Sequence, residues 1–337
     1  MSEYVQQIQR DARRRPNGLA AAGAAVFTRQ DTQCALQAIV RLARHDPGRA
    51  FTSAMHMVAS QLGDDVMQSS HTPLSLPADS GLLAGMLHRP TAHRMVCSPS
   101  VTAVRDGSVW KLSADALLAV NPALVQRWYV LAHTECGGID AFWFDTDTPG
   151  MRRHAQPADP RLTPFNAHTF SLDEVRVPET ARIGLGQPRA PAPLLQHVAR
   201  VYRAMASALC CGIGYATRSV ASLHAGAPVR TSTHPASWQR ATEHLSRIDA
   251  LLLTSEVLLR DIASDLQKSA GCAPPRRSVQ HLHRLALDSS IAAISLAARA
   301  VPKVTNVDRA SLHRHRRDAA ATFALAANFD QVQAATV

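Results

Sequence analysis

The feature that most constrains the fold is a series of short alternating segments between residues 101 and 184. Apolar and polar residues alternate within each segment, which is the pattern of a β-strand with one buried face. Three breaks separate the segments, Asp106-Gly107, Gly137-Gly138 and Pro149-Gly150, and such dipeptides favour tight turns. The middle of the chain is therefore predicted to form a small antiparallel β-barrel or sandwich.

Apolar residues recur with helical spacing on both sides of this β-region. Two such segments precede it (residues 33–43 and 50–62), and four longer ones follow it (194–223, 238–266, 279–301 and 312–332). Long helices joined by short loops are typical of an up-and-down bundle. We therefore expect an α+β protein with an N-terminal helical domain at residues 1–84, a β-domain at 85–188 and a C-terminal four-helix bundle at 189–337. A Pro-rich linker is predicted at residues 186–193.

The composition indicates a folded, water-soluble protein. The chain has 337 residues, of which 46% are hydrophobic and 18% charged, so it can bury a sizeable core. No run approaches the roughly 20 apolar residues that span a bilayer. The first 16 residues lack the apolar stretch of a secretory signal. Six cysteines without framework spacing favour reduced thiols and a cytoplasmic location.

The net charge of +10 does not indicate a nucleic-acid-binding protein. Arginines are spread along the chain, and no recognition motif with interleaved aromatic residues is present. A metal site is not predicted either. The paired histidines are two positions apart, which puts them on different faces of a helix; they are His281 with His283 and His313 with His315.

Three segments in this order resemble the middle β-domain of the acyl-CoA dehydrogenase family. The residues from Asp106 to Trp110 are similar to its "dG..W" strand pair, Asp147-Thr-Pro-Gly150 to its "DTPG" turn, and Phe170–Pro178 to its "v.f.dvrVP" strand. The helix–β–helix order also matches, although the N-terminal helical part is shorter. The resemblance implies FAD, an acyl-CoA or carrier-bound acyl thioester, and a homo- or hetero-oligomer. In that family a glutamate removes the α-proton while the flavin accepts the β-hydride.

Both places where the family puts its catalytic glutamate hold other residues here. In the motif that begins "ER" and ends in a glycine, Arg203 and Gly212 match, but the glutamate position holds Tyr202. In the "RDa.i..iyEGt" motif, Arg317-Asp318 matches, but the glutamate position holds Ala326. The catalytic residues are therefore unassigned. The resemblance implies that Arg203 lies near the thioester, which makes it a candidate substrate-cavity residue.

The positions that the resemblance assigns to flavin binding are also altered. The "LTEP" segment reads Leu87-His-Arg-Pro90, and the positions at the flavin ring hold Leu118, Ala119 and Val120. The phosphate contact at residues 222–226 keeps only its glycine, and the adenine loop at 302–305 has none. Without these glycines and hydroxyls the backbone cannot easily approach a pyrophosphate. We therefore expect FAD to be bound weakly or shared with a partner subunit.

The C-terminus also resembles a sister group, the flavin-dependent monooxygenases. Their "RD......HaaN" motif is matched here with Leu325 in place of the active-site histidine. Three functions remain open. The first is an oxidoreductase, or a subunit of one that takes its base or flavin from another subunit. The second is a non-catalytic binding or assembly subunit. The third is a diverged monooxygenase.

Overall fold

The computed structural model describes residues 32–69, 84–86, 101–120, 122–135, 137–157, 166–183, 191–226, 235–268, 277–300 and 306–330. These residues form helices, then strands, then helices, as the sequence predicts. The helices before the sheet are α1 (Thr32–Ala43) and α2 (Pro47–Ser69). The strands are β1 (Ala84–Met86), β2 (Val101–Asp106), β3 (Val109–Val120), β4 (Arg127–Thr134), β5 (Ile139–Asp145), β6 (Met151–Pro157), β7 (Ala167–Pro178) and β8 (Arg182–Ile183). The helices after it are α3 (Pro191–Gly226), α4 (Pro235–Lys268), α5 (Arg277–Ala300) and α6 (Asn306–Asp330).

The three predicted glycine turns are confirmed. Gly107, Gly137 and Gly150 have φ angles of 63°, 76° and 96°, a region that residues with a Cβ atom seldom occupy. At Gly150 a Cβ atom would also meet the carbonyl oxygen of Asp173 on the neighbouring strand. The Pro-Gly turn therefore needs glycine both for its backbone conformation and for the close approach of β7.

The strands form one mixed sheet in the order β6-β7-β3-β2-β4-β5-β8, with β1 also paired to β4. The described strands do not close into a barrel, since β6 and β8 are at opposite edges. The sequence predicts an antiparallel sheet, and most pairings are antiparallel, but β4 pairs in parallel with both β1 and β2. The β2–β4 pairing is parallel because β3 reverses the direction of β2 and β4 reverses it again.

The sheet has a hydrophobic core of its own. Trp110, Leu112, Trp128, Phe142 and Val175 are among its buried side chains. At its edge, the Trp110 indole donates a hydrogen bond of 2.6 Å to Glu179, and Arg182 forms a 2.6 Å ion pair with Asp140. These bonds attach the β7–β8 connection to β3 and β5.

A second core surrounds α3, which packs against every other described helix. Three helices begin at a proline three residues before their predicted start, and α4 does so at Pro235. Helix α2 begins at Pro47, where the Asp46 carboxylate accepts a hydrogen bond from the Arg49 backbone N–H, and α3 begins at Pro191 inside the predicted linker. Proline is well tolerated in the first turn of a helix, so these prolines begin helices and do not extend the loops.

Several sequence predictions concern residues outside the described ranges. These include the first 16 residues, the segment 87–90, the adenine-loop segment 302–305, and Cys97, Cys136 and Cys272. Among the helices that are described, none is long and apolar enough to cross a membrane.

Candidate functional site

Tyr202, at the first of the two positions where a catalytic glutamate was expected, lies in the middle of the protein, where α3 meets α2 and the sheet. Tyr202 is 1% exposed, and its ring meets that of Phe51 edge-on, with centroids 6.5 Å apart at 78°. Leu118 of β3 and Tyr129 of β4 belong to the same buried cluster. The side chain of Tyr202 is therefore a packing element between helices and sheet.

The Tyr202 hydroxyl is unsuited to proton abstraction. Burial raises the pKa of this phenol well above its ordinary value of about 10, because the phenolate would lose its hydration. A general base works best with a pKa near the operating pH. At neutral pH Tyr202 is therefore a neutral, buried phenol.

The second glutamate position lies in the same layer of the structure. Helix α6 packs along α3, with the Thr217 hydroxyl 3.2 Å from His315 Nδ1 and a side-chain hydrogen bond between Cys210 and Thr322. The two contacts are seven residues apart on each helix and follow in opposite order, so α3 and α6 run antiparallel with a fixed register. The same antiparallel register sets Ala326 opposite residue 206, about one turn from Tyr202. The fold brings the two positions together, and neither holds a carboxylate.

Two arginines of α3, Arg200 and Arg203, lie close to Tyr202 in sequence. Arg203 is 6% exposed and Arg200 is 3% exposed, so the candidate substrate-cavity residue and a second arginine three positions away are both buried. On α2, burial lowers the pKa of His56 to about 4, which leaves its imidazole neutral at pH 7. Helix α3 therefore carries two buried arginines close in sequence to the neutral phenol of Tyr202.

Arg317 and Asp318, the matching residues of the second motif, lie in different environments. Arg317 is exposed and Asp318 is 4% exposed, and no ion pair joins these two described side chains. Burial raises the pKa of Asp318 to about 6, opposed by Arg314 and Arg317 and reinforced by Asp46. The α3–α6 register puts Asp318 opposite residue 214, about 18 Å along the helix from Tyr202. This carboxyl group is therefore not a substitute for the missing base.

At the positions that the resemblance assigns to the flavin, the described side chains are apolar or are hydrogen-bonded within their own helix. Leu118 and Ala119 are apolar and fully buried, one in the helical core and the other in the sheet core. The Ser222 hydroxyl donates to the Ser219 carbonyl within its own helix, and α3 continues as far as Gly226. Among the described residues no group of three His, Cys, Asp or Glu could hold a metal ion.

The sequence does not reveal how the residues around Tyr202 pack. Phe51 lies in a predicted helix, but nothing local links it to a tyrosine 151 positions later. The burial of Asp318 is likewise set by α3 and not by its own sequence neighbours. The exposed His313 and the half-buried His315 do lie on different faces of α6, as their spacing predicts.

No family model matches the chain, and no curated protein matches it in sequence. Solved structures do match its fold. Butyryl-CoA dehydrogenase from Megasphaera elsdenii is 17% identical, with a TM-score of 0.78 over 95% of this chain and 88% of the other. XiaF from Streptomyces sp., solved with FADH2 and glycerol, is 14% identical, with a TM-score of 0.69 over 90% and 82%. The HsaA monooxygenase from M. tuberculosis is 16% identical, with a TM-score of 0.67 over 95% and 88%. The chain thus has the acyl-CoA dehydrogenase-like fold that its β-region resembles.

Proposed function

We propose that this chain is an acyl-CoA dehydrogenase-like subunit of an oxidoreductase that acts on an acyl thioester and does not itself supply the catalytic base. The fold that it shares with butyryl-CoA dehydrogenase and with the FADH2-bound XiaF supports the reaction class and the cofactor. In this proposal a second, glutamate-bearing subunit provides the base and part of the flavin site.

One observation carries the proposal. The two glutamate positions, Tyr202 and Ala326, lie within about one helical turn of each other on facing helices. This arrangement supports a fold in which either helix could present a base, while the sequence has tyrosine at one position and alanine at the other. Loss of a general base typically lowers a rate by about 10²–10⁴.

A second candidate is a non-catalytic subunit that uses the fold for binding or assembly. The contact between Tyr202 and Phe51, in a cluster that includes Leu118, favours it, because these side chains fill the space between α3, α2 and β3. The monooxygenase alternative is supported by the likeness to HsaA, although Leu325 replaces the histidine of the motif.

The test is an assay with an artificial electron acceptor and a panel of acyl-CoAs. It is run on the chain alone, on the chain co-expressed with a glutamate-bearing homologue, and on Ala326→Glu. We expect no turnover from the chain alone and turnover from the pair. Robust turnover by the chain alone, unchanged in Tyr202→Phe, would mean that the base lies elsewhere. No turnover in any arm would favour the non-catalytic candidate.

The visible spectrum separates binding from catalysis. We expect the purified chain alone to carry little or no flavin and to take up added FAD weakly, because Leu118 and Ala119 offer apolar groups at the ring positions. Stoichiometric flavin absorbance after purification would contradict this part of the proposal. Flavin that appears only after co-expression with the homologue would support a shared site.

A further inference from the structure

A groove runs between α1 and α4, and neither Tyr202 nor Phe51 lines it. Its volume is about 300 Å³, which is within the range of small-ligand sites. The floor is apolar and consists of the buried side chains of Leu36, Val40 and Leu259. The rim is polar and basic and consists of Gln33, Gln37, Arg41, Arg44, Glu256 and Arg260.

The charges around this rim are not balanced. The carboxylate of Glu256 is engaged by Arg44 at 3.8 Å and by a hydrogen bond from Tyr215, whose ring lies 4.0 Å beneath the Arg44 guanidinium. Neither Arg41 nor Arg260 forms an ion pair with any residue in the described ranges. Three guanidinium groups thus line the groove with one carboxylate, and that carboxylate is already used by one of them.

This arrangement suits a doubly charged oxyanion. Guanidinium groups bind phosphate in a bidentate manner and remain charged at any physiological pH. Arg41 and Arg260 come from different helices that pack against each other, so a phosphate between them would be held from both walls. The carboxamides of Gln33 and Gln37 add neutral donors, and the apolar floor offers contact to the group that carries the phosphate.

We propose that this groove binds a small molecule in which a phosphate monoester is attached to an apolar group. The site lies where α1 crosses α3 at Gly212, ten residues and about 15 Å along α3 from Tyr202. The inference is therefore independent of the proposed oxidoreductase function, and either can fail without the other.

The experiment is calorimetric titration of the full chain with phenyl phosphate, inorganic phosphate and benzoate at constant ionic strength. Phenyl phosphate has both the dianion and the apolar group, whereas each of the other probes lacks one of them. We expect saturable binding in the order phenyl phosphate, inorganic phosphate, benzoate. The double variant R41Q/R260Q should weaken phenyl phosphate binding by about tenfold or more.

The matched control is R247Q/R284Q, which removes the same charge from exposed positions on α4 and α5 outside the groove. It should leave the affinity within about twofold, since long-range attraction is screened. Circular dichroism melting checks that both variants fold. The proposal is overturned if phenyl phosphate does not saturate the chain, if both double variants lose the same affinity, or if benzoate binds as tightly as phenyl phosphate.

Discussion

Gly212 of α3 lies so close to Val40 of α1 that a Cβ atom at position 212 would overlap the Val40 carbonyl oxygen and the Ala43 side chain. The two helices meet backbone to backbone at this point. Gly212 is the glycine that was matched after Arg203 in the first motif, so this residue has a packing role that its sequence context did not reveal.

Gly212→Ala is therefore expected to destabilise the protein. Alanine favours a helix over glycine by about 1 kcal/mol, but overpacking typically costs about 1–3 kcal/mol, and a backbone carbonyl cannot rotate away. With the overpacking cost at the upper end of that range, we expect a net loss of about 2 kcal/mol in the free energy of unfolding, measured by chemical denaturation. The control is Gly214→Ala, where the added Cβ atom would lie 2.6 Å from a terminal methyl group of the Leu252 side chain and not from a backbone atom. Equal losses for the two variants would contradict this explanation.

The two buried tryptophans of the sheet core are expected to respond differently to replacement by phenylalanine. The Trp110 indole donates a 2.6 Å hydrogen bond to Glu179, whereas the Trp128 indole nitrogen has no acceptor among the described residues. Both rings pack against a phenylalanine, so the loss of ring volume is similar. A hydrogen bond to a charged group contributes about 1.5–3 kcal/mol, and an unmet buried donor is costly. We expect Trp110→Phe to lower the unfolding free energy by at least about 1 kcal/mol more than Trp128→Phe, and the opposite order would refute the assignment.

Asp318 should make the stability depend on pH. Its carboxyl group has a pKa of about 6 in the folded protein against 3.8 as the reference value, so between these values the folded state binds the proton that the unfolded state releases. The free energy of unfolding then falls as the pH rises through this window and stays lower above it. A difference of about two pKa units corresponds to about 3 kcal/mol as an upper limit.

Asp318→Asn removes the titrating carboxyl group and with it this pH dependence of the free energy of unfolding. We expect the variant to be more stable than the parent at pH 7.5 and to differ less from it at pH 4, as measured by urea denaturation at both values. Asp261→Asn changes the same charge at an exposed position of α4 and serves as the control. Parallel stability curves for the parent and Asp318→Asn would show that the buried carboxyl group does not titrate in this window.

Local sequence patterns predicted the helix–strand–helix order of this fold and its glycine turns. Gly107, Gly137 and Gly150 adopt the positive φ angles that their turns require, because turn conformation is set within a few residues. The burial of Asp318 and the contact of Phe51 with Tyr202 depend on which helices pack together, and no local pattern encodes that. The same limit applies to the groove of Arg41 and Arg260, since these two residues are more than 200 positions apart in sequence.

Tyr202→Glu is the sharpest test of whether the layer between α3, α2 and the sheet is packed or open. It restores a carboxylate at one family position, but in a site that is 1% exposed and in contact with Phe51. Burial raises the pKa of a carboxyl group by as much as 3–5 units, so the ionised form destabilises the folded state and stability falls as the pH rises. We expect Tyr202→Glu to be less stable than the parent by about 2 kcal/mol or more at pH 8, with a smaller deficit at pH 5, and to show no gain in acyl-CoA turnover.

Tyr202→Phe is the matched control for this variant. It keeps the ring against Phe51 and adds no charge, so its melting temperature should differ from that of the parent by a similar amount at pH 5 and pH 8. If Tyr202→Glu were instead as stable as the parent at pH 8 and gained turnover, water and substrate would have access to position 202. That result would reject the packed interpretation and the non-catalytic candidate together, because restoring a single carboxylate would then have been enough to recover catalysis.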